Sequence, residues 1–212
     1  MSATQISTLD MKVRRFATRF QFSMILLVLV GVCPLCALAQ DGHSHSVPPQ
    51  HELTPDQKRK ASALLKIVRE STERFRDVSV AEKEGYALTF GCVSGPDWGA
   101  MGLHYVNGNL LNEGIVDATR PQIVIYEPTS SGRPRLIGAD FLVFADAWDA
   151  KHPGQPPALM GQLFHFFETP NRFGLPAFYT LHVWAWKENP NGAFVNWHPD
   201  VSCQSFVGRT TL

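Results

Sequence analysis

The chain has 212 residues with 19 basic and 19 acidic side chains, so its formal net charge at pH 7 is zero. It has no Lys/Arg-rich run beyond its N-terminal region, so the electrostatic footprint of a nucleic-acid binder is missing. Four bases (Lys12, Arg14, Arg15, Arg19) and one acid (Asp10) fall within residues 1–39, which leaves the remainder with three more acids than bases.

Residues 1–39 read as a secretory signal peptide. A basic entry is followed by the apolar run Met24 through Val32, then by Ala37-Leu38-Ala39, whose small residues suit cleavage before Gln40. The apolar run is shorter than the about 20 residues of a membrane span, and Pro34 interrupts it. A retained N-terminal anchor is the competing reading; after cleavage no stable membrane span would be left. Neither Cys33 nor Cys36 directly follows the small residue of a lipoprotein signal. The expected location is therefore the periplasm or the extracellular space. Residues 40–53 form a polar leader with His43, His45 and His51. Such flexible histidine segments capture metals weakly, and these are taken as incidental.

Residues 54–212 are expected to fold as a single domain. Thr54-Pro55-Asp56-Gln57 supplies a capping residue, a proline for the first helical position and a capping-box partner. Ala61, Leu64, Leu65, Val68, Thr72, Phe75 and Val78 recur at helical spacing, which predicts a helix to about residue 84 with a break near Asp77. Beyond Gly85, short apolar runs punctuated by Gly, Pro and Asn predict strands at 103–106, 122–127, 135–144 and 178–187, and a weaker one at 193–197. Residues 129–132 and 189–192 read as turns, and residues 146–173 as a long loop of functional or lid type. The fold class expected is α+β: an N-terminal helix packed on an antiparallel β-sheet or partial β-barrel.

In the segment Tyr179–Trp186, strand alternation sends Thr180, His182, Trp184 and Trp186 to one face. An imidazole beside two indoles resembles a pocket wall, so Tyr105, Trp184 and Trp186 are the expected pocket lining. His104 follows Gly102 in a short strand, Glu127 ends another, and Asp140 sits inside an apolar run. Two histidines and one or two carboxylates on separate strands form the ligand set of mononuclear metal sites. His104, Glu127, Asp140 and His182 are therefore the candidate ligands of one divalent ion (Fe, Mn, Zn or Cu). Against this, Glu127 and Asp140 could make ordinary ion pairs with Arg120 or Arg135, and His182 could satisfy a backbone carbonyl. His165 and His198 are candidate rim residues, and His152 reads as solvent-exposed. No serine-nucleophile elbow or phosphate-binding glycine loop is present.

Once the signal is removed, Cys92 and Cys203 are the two cysteines left, and in an oxidising compartment they most simply form a disulfide. Closing a loop of about 110 residues would contribute roughly 4–5 kcal/mol in the chain-entropy model. A reactive or metal-binding thiol pair is the alternative, but no CxxC spacing supports it.

The segments Gly99–Asn107, Arg120-Pro121 with Tyr126-Glu127-Pro128, His182–Lys187, Asn189–Phe194 and Val201-Ser202-Cys203 resemble, taken together, an uncharacterised family of exported bacterial proteins. Relatives show a Cys-Val pair like Cys92-Val93, which fits the disulfide. They tend to have Glu at Asp140, keeping the carboxylate, and many have Asn at His198, which argues against that residue as a ligand. The resemblance implies bacterial export and the residue list; it implies no reaction. Three roles follow as expectations: a metal site working on a small molecule, a non-catalytic small-ligand-binding module, or a structural envelope protein.

Overall fold

The computed structural model of the protein describes residues 52–211; the expected signal peptide and the leader through His51 lie outside the described residues. Helix α1 (Pro55–Thr72) begins with the capping box expected of Thr54 and Gln57. The Gln57 N–H donates to Thr54 Oγ1 at 3.2 Å, and the Thr54 N–H donates to Gln57 Oε1 at 2.8 Å. The helix ends at Thr72 in a 3-10 turn (Glu73–Arg76). Asp77 then adopts extended backbone, and its carboxylate accepts from the Ser79 N–H at 3.0 Å to start the short α2 (Val78–Lys83). The break expected near Asp77 is thus an N-cap, since a side chain that satisfies an orphan amide restarts the helix in a new direction.

The strands are β1 (Tyr86–Gly95), β2 (Gly99–Asn107), β3 (Ile123–Glu127), β4 (Arg135–Phe144), β5 (Ala158–Leu159), β6 (Gln162–Leu163), β7 (His165–Phe167), β8 (Phe178–Val183) and β9 (Thr210–Thr211). Short helices α3 (Gly108–Glu113) and α4 (Ala145–Asp149) follow β2 and β4. Seven strands form one curled sheet, a half-barrel, in the order β7-β8-β4-β3-β2-β1-β9. Every pairing in it is antiparallel except β1 with β9. The fold is therefore the α+β class read from the sequence. β3 and β4 form the expected hairpin, closed by the Gly132 N–H donating to Thr129 O at 3.0 Å. Cys92 and Cys203 are disulfide-bonded, with Cα atoms 5.8 Å apart. Among the described residues no helix is long and apolar enough to cross a membrane.

Three elements differ from the sequence reading. Residues 86–95 form a strand that was not expected, because a register shift between Leu88 and Cys92 interrupts the alternation. Gly91 lies in that interruption with φ 67°, and a Cβ there would sit 1.9 Å from Arg209 O; only glycine admits the C-terminal strand. Residues 193–197 are not a strand. The long loop carries β5, β6 and β7, and β7 forms an edge of the main sheet.

Alternation then divides the core. On one face, Leu64 and Val68 of α1 pack on Ala139, Phe141, Leu181 and Val183. Phe75 and Ala81 extend that layer over Leu103, Tyr105, Val124 and Tyr126. The opposite face, away from α1, carries Val106, Ile123, Ile125, Leu142 and Phe178, covered by Trp184, Val201, Leu111 of α3 and partly buried aromatics. Both faces of the central strands are therefore buried, which makes any ionisable group there costly unless it has a partner.

Candidate metal centre

His104 on β2, Asp140 on β4 and His182 on β8 share the face of the sheet opposite α1. Asp140 stands directly opposite His182 in the β4–β8 ladder and opposite Ile123 in the β3–β4 ladder. His104 pairs with Ile125, two residues along the same face of β3. Strands β2 and β4 are separated by β3, so about 9.5 Å lies between them in a flat sheet. The sheet is curled, and the three side chains reach across β3 to one another: each offers one ligand atom, all within 4.8 Å of one another. Ligands at about 2.1 Å from a common ion lie about 3.0–3.4 Å apart in tetrahedral or octahedral geometry. Side-chain movement of about an ångström closes the difference.

Local sequence sets each donor. Gly102 has φ 91°, and a Cβ on it would lie 2.5 Å from Tyr126 O, so β2 approaches β3 closely there. The Gly102 carbonyl stands 3.1 Å from His104 Nδ1. A carbonyl only accepts, so Nδ1 carries the proton and Nε2 presents its lone pair. Asp140 Oδ1 accepts from the Thr180 hydroxyl, whose residue shares the strand face with His182. His182 Nδ1 lies 3.6 Å from Asp140 Oδ1, beyond hydrogen-bond range, and both ring nitrogens of His182 are buried without a partner. Such orphaned groups cost about 1–3 kcal/mol each.

Burial is nearly complete, at 3% exposure for His104 and 2% for Asp140 and His182. It pushes the Asp140 carboxyl up to about 6, against the Thr180 hydroxyl and the nearby imidazole of His104. Burial, reinforced by His182, pushes His104 down to about 4. Burial, reinforced by His165, pushes His182 down to about 3, opposed by the polar side chain of Asn196 beside it, whose buried Oδ1 likewise lacks a hydrogen bond of normal geometry. Near neutral pH the group is two neutral imidazoles and one carboxylate, the protonation state a divalent ion requires.

Around the three lies a cavity of about 20 Å³, enough for a single water-sized body. Its other walls are Phe90, Met101, Phe167, Phe173, Leu175 and Phe178, with Ile123 and Leu142 from the sheet. The aromatic lining expected from the sequence is placed elsewhere. Tyr105 alternates to the opposite face, against Tyr126 with ring centroids 5.0 Å apart. Trp184 is buried with its indole N–H donating to Val195 O at 2.6 Å, 5.9 Å from the His182 ring but outside the cavity. Trp186 crosses to the helix side because β8 ends at Val183. There the Ala185 N–H donates to Val183 O at 2.9 Å, which breaks the strand period, and the Trp186 indole donates to Thr72 Oγ1 at 2.9 Å.

Glu127 stands apart from the three. Its carboxylate pairs with Arg135 and, at 2.7 Å, with Lys187, so one of the two expected carboxylates takes the ion-pair role. Burial alone would raise its pKa, but those two cations together hold it below the ordinary glutamate range. His198 Nδ1 accepts from the Asp200 N–H at 3.1 Å, and the ring packs against Trp184. His165 is exposed, 3.3 Å from Phe194 O. His152 is half-buried rather than exposed, stacked on Trp148 at 4.0 Å. The phenylalanine walls were not found from the sequence. Phe90, Phe167 and Phe178 lie on three separate strands and Phe173 in the loop before β8, so no single strand period links them.

Comparison with protein-family models, curated proteins and solved structures finds no match to any of them.

Proposed function

We propose that this protein is an exported metalloprotein, akin to the bacterial proteins its motifs resemble, in which His104, Asp140 and His182 hold one divalent transition-metal ion. The observation that carries the reading is the convergence of three donors within 4.8 Å, one of them an imidazole whose two nitrogens are both buried and unpartnered. Two imidazoles and one carboxylate suit Fe(II), Mn(II), Zn(II) or Cu(II). Three protein ligands leave coordination positions open, as reactive rather than structural sites do. The ion would then supply Lewis-acid or redox chemistry to a small molecule. A binding module built on Tyr105, Trp184 and Trp186 has less support, because those rings pack apart from one another, on Tyr126, His198 and Thr72 respectively.

The test is elemental analysis of untagged protein purified from a periplasm, beside His182→Ala. Near-stoichiometric metal in the native protein, lost in a variant with an unchanged far-UV spectrum, supports the reading. No retained metal after incubation with Fe(II), Mn(II), Zn(II) and Cu(II) overturns it. Cleavage before Gln40, read by N-terminal sequencing of the same preparation, tests export.

A further inference from the structure

The walls of the 20 Å³ cavity restrict what can reach an ion held by the three residues. Apart from the ligands and Thr180, every lining side chain is apolar. Phe90, Phe167, Phe173 and Leu175 are only partly buried, whereas the ligands beneath them are almost fully so. A single apolar layer therefore separates the ion site from solvent. Phe173 is its hub: its ring centroid lies 5.3 Å from Phe90, 6.1 Å from Phe167 and 6.0 Å from Phe178. The turn bearing it is fixed by Asn171, whose Oδ1 accepts from the Phe173 and Leu175 N–H groups and whose amide donates to Glu168 O and Leu175 O. Phe90 comes from β1 and Phe167 from β7, so three separate parts of the chain meet over the site.

We infer that the open coordination position takes a diatomic molecule of the dioxygen or nitric oxide kind, and that Phe173 closes the site to larger ligands. The inference rests on the metal reading above. Three features carry it. The space holds one water-sized body and nothing of sugar or amino-acid size. The walls beyond the ligands and Thr180 offer no hydrogen bond, so a ligand with polar groups away from its coordinating atom would bury them unsatisfied. Neutral diatomics are apolar and small enough to pass a packed phenylalanine layer during ordinary side-chain motion.

The experiment uses untagged full-length mature protein, stripped with chelator and reloaded anaerobically with Fe(II) or Co(II), with bound metal measured first. Nitric oxide is added to the iron form and read by electron paramagnetic resonance. Azide and imidazole are titrated into the cobalt form and read by its visible spectrum. In the native protein, a high-spin iron–nitrosyl signal accounting for most of the bound iron is expected, with no response to azide or imidazole. Phe173→Ala and, independently, Phe167→Ala should retain metal and bind imidazole at least about tenfold more tightly than the native protein. Bound iron that gives no nitrosyl signal, or native cobalt protein that binds azide or imidazole as tightly as the variants, overturns the inference and leaves the metal reading intact. Failure of native protein to retain either metal overturns both.

Discussion

Replacing Asp140 by asparagine separates the cost of the site from its use. In metal-free protein this carboxyl is raised from its ordinary 3.8 to about 6 by burial. One pKa unit corresponds to about 1.4 kcal/mol, so keeping Asp140 ionised near pH 7.5 costs about 3 kcal/mol relative to the unfolded chain. The sign follows from proton counting. Between pH 3.8 and 6 the folded protein holds a proton on Asp140 that the unfolded chain has lost, so this group's contribution falls as pH rises through that window and is fully unfavourable above it. Asp140→Asn removes the charge and keeps an acceptor for Thr180. In chelator at pH 7.5 the variant should be more stable than native protein by about 1–3 kcal/mol, the lower part of the range allowing for an amide that is not fully hydrogen-bonded. That difference corresponds to a rise of about 1 M in the urea midpoint. With metal at a thousand times its dissociation constant, native protein gains about 4 kcal/mol and the variant little, so the order reverses. Urea unfolding followed by tryptophan fluorescence, with and without metal, measures both differences. If the variant is less stable than native protein in chelator, or if metal stabilises the two equally, the reasoning is wrong.

Metal uptake should weaken as pH falls through about 6, because the ion must displace the proton on Asp140 while His104 and His182 are already neutral. The apparent affinity should drop by about tenfold per pH unit below 6, as one released proton requires, and competition against a calibrated chelator between pH 5 and 8 reads it. Glu127→Gln should leave metal content unchanged, because that carboxylate serves Arg135 and Lys187. Its stability cost in urea should stay near 1 kcal/mol, since Arg135 is largely exposed. Cys92→Ala with Cys203→Ala should lose roughly 4–5 kcal/mol of the chain-entropy contribution, measured as the difference in unfolding free energy from the oxidised native protein.

Whatever depends on short-range chemistry was legible in the sequence. The capping box at Thr54 and Gln57, the break at Asp77 and the hairpin around Thr129–Gly132 each follow from neighbours a few residues apart. The two histidines and Asp140 could be named as candidates because an ionisable residue in an apolar strand is costly anywhere. What the sequence could not show is which of them meet. Glu127 and Asp140 are alike as carboxylates on apolar strands. Yet β4 places Asp140 beside His104 and His182, whereas Glu127, at the end of β3, finds Lys187 60 residues away. Trp186 shows the limit of alternation: strict period two puts it beside His182, but one hydrogen bond from Ala185 to Val183 ends the strand and turns the indole toward α1. The register shift in β1 hid a whole strand in the same way.

A purely structural role for the three buried residues is the weaker explanation on energetic grounds. Strand positions facing a packed apolar layer are most stable when filled by apolar residues of matching volume, and even a well-paired buried ion cluster seldom improves on that. Here the pairing is incomplete. His182 has no hydrogen bond at either nitrogen, and His104 has one, to the Gly102 carbonyl. Asp140 accepts from the Thr180 hydroxyl, with the Leu181 N–H nearby and the nearest imidazole nitrogen of His182 at 3.6 Å. Had the chain needed only a filled core, Leu or Phe at positions 104 and 182 would remove the orphaned groups and their cost. For His182, specificity of folding does not account for the cost either, because a group that makes no hydrogen bond fixes no register. A bound cation answers all three deficits at once. It gives one His182 nitrogen a partner and leaves the other to the Asn196 side chain beside it, uses the lone pair that Gly102 leaves on His104 Nε2, and neutralises the charge that burial opposes on Asp140.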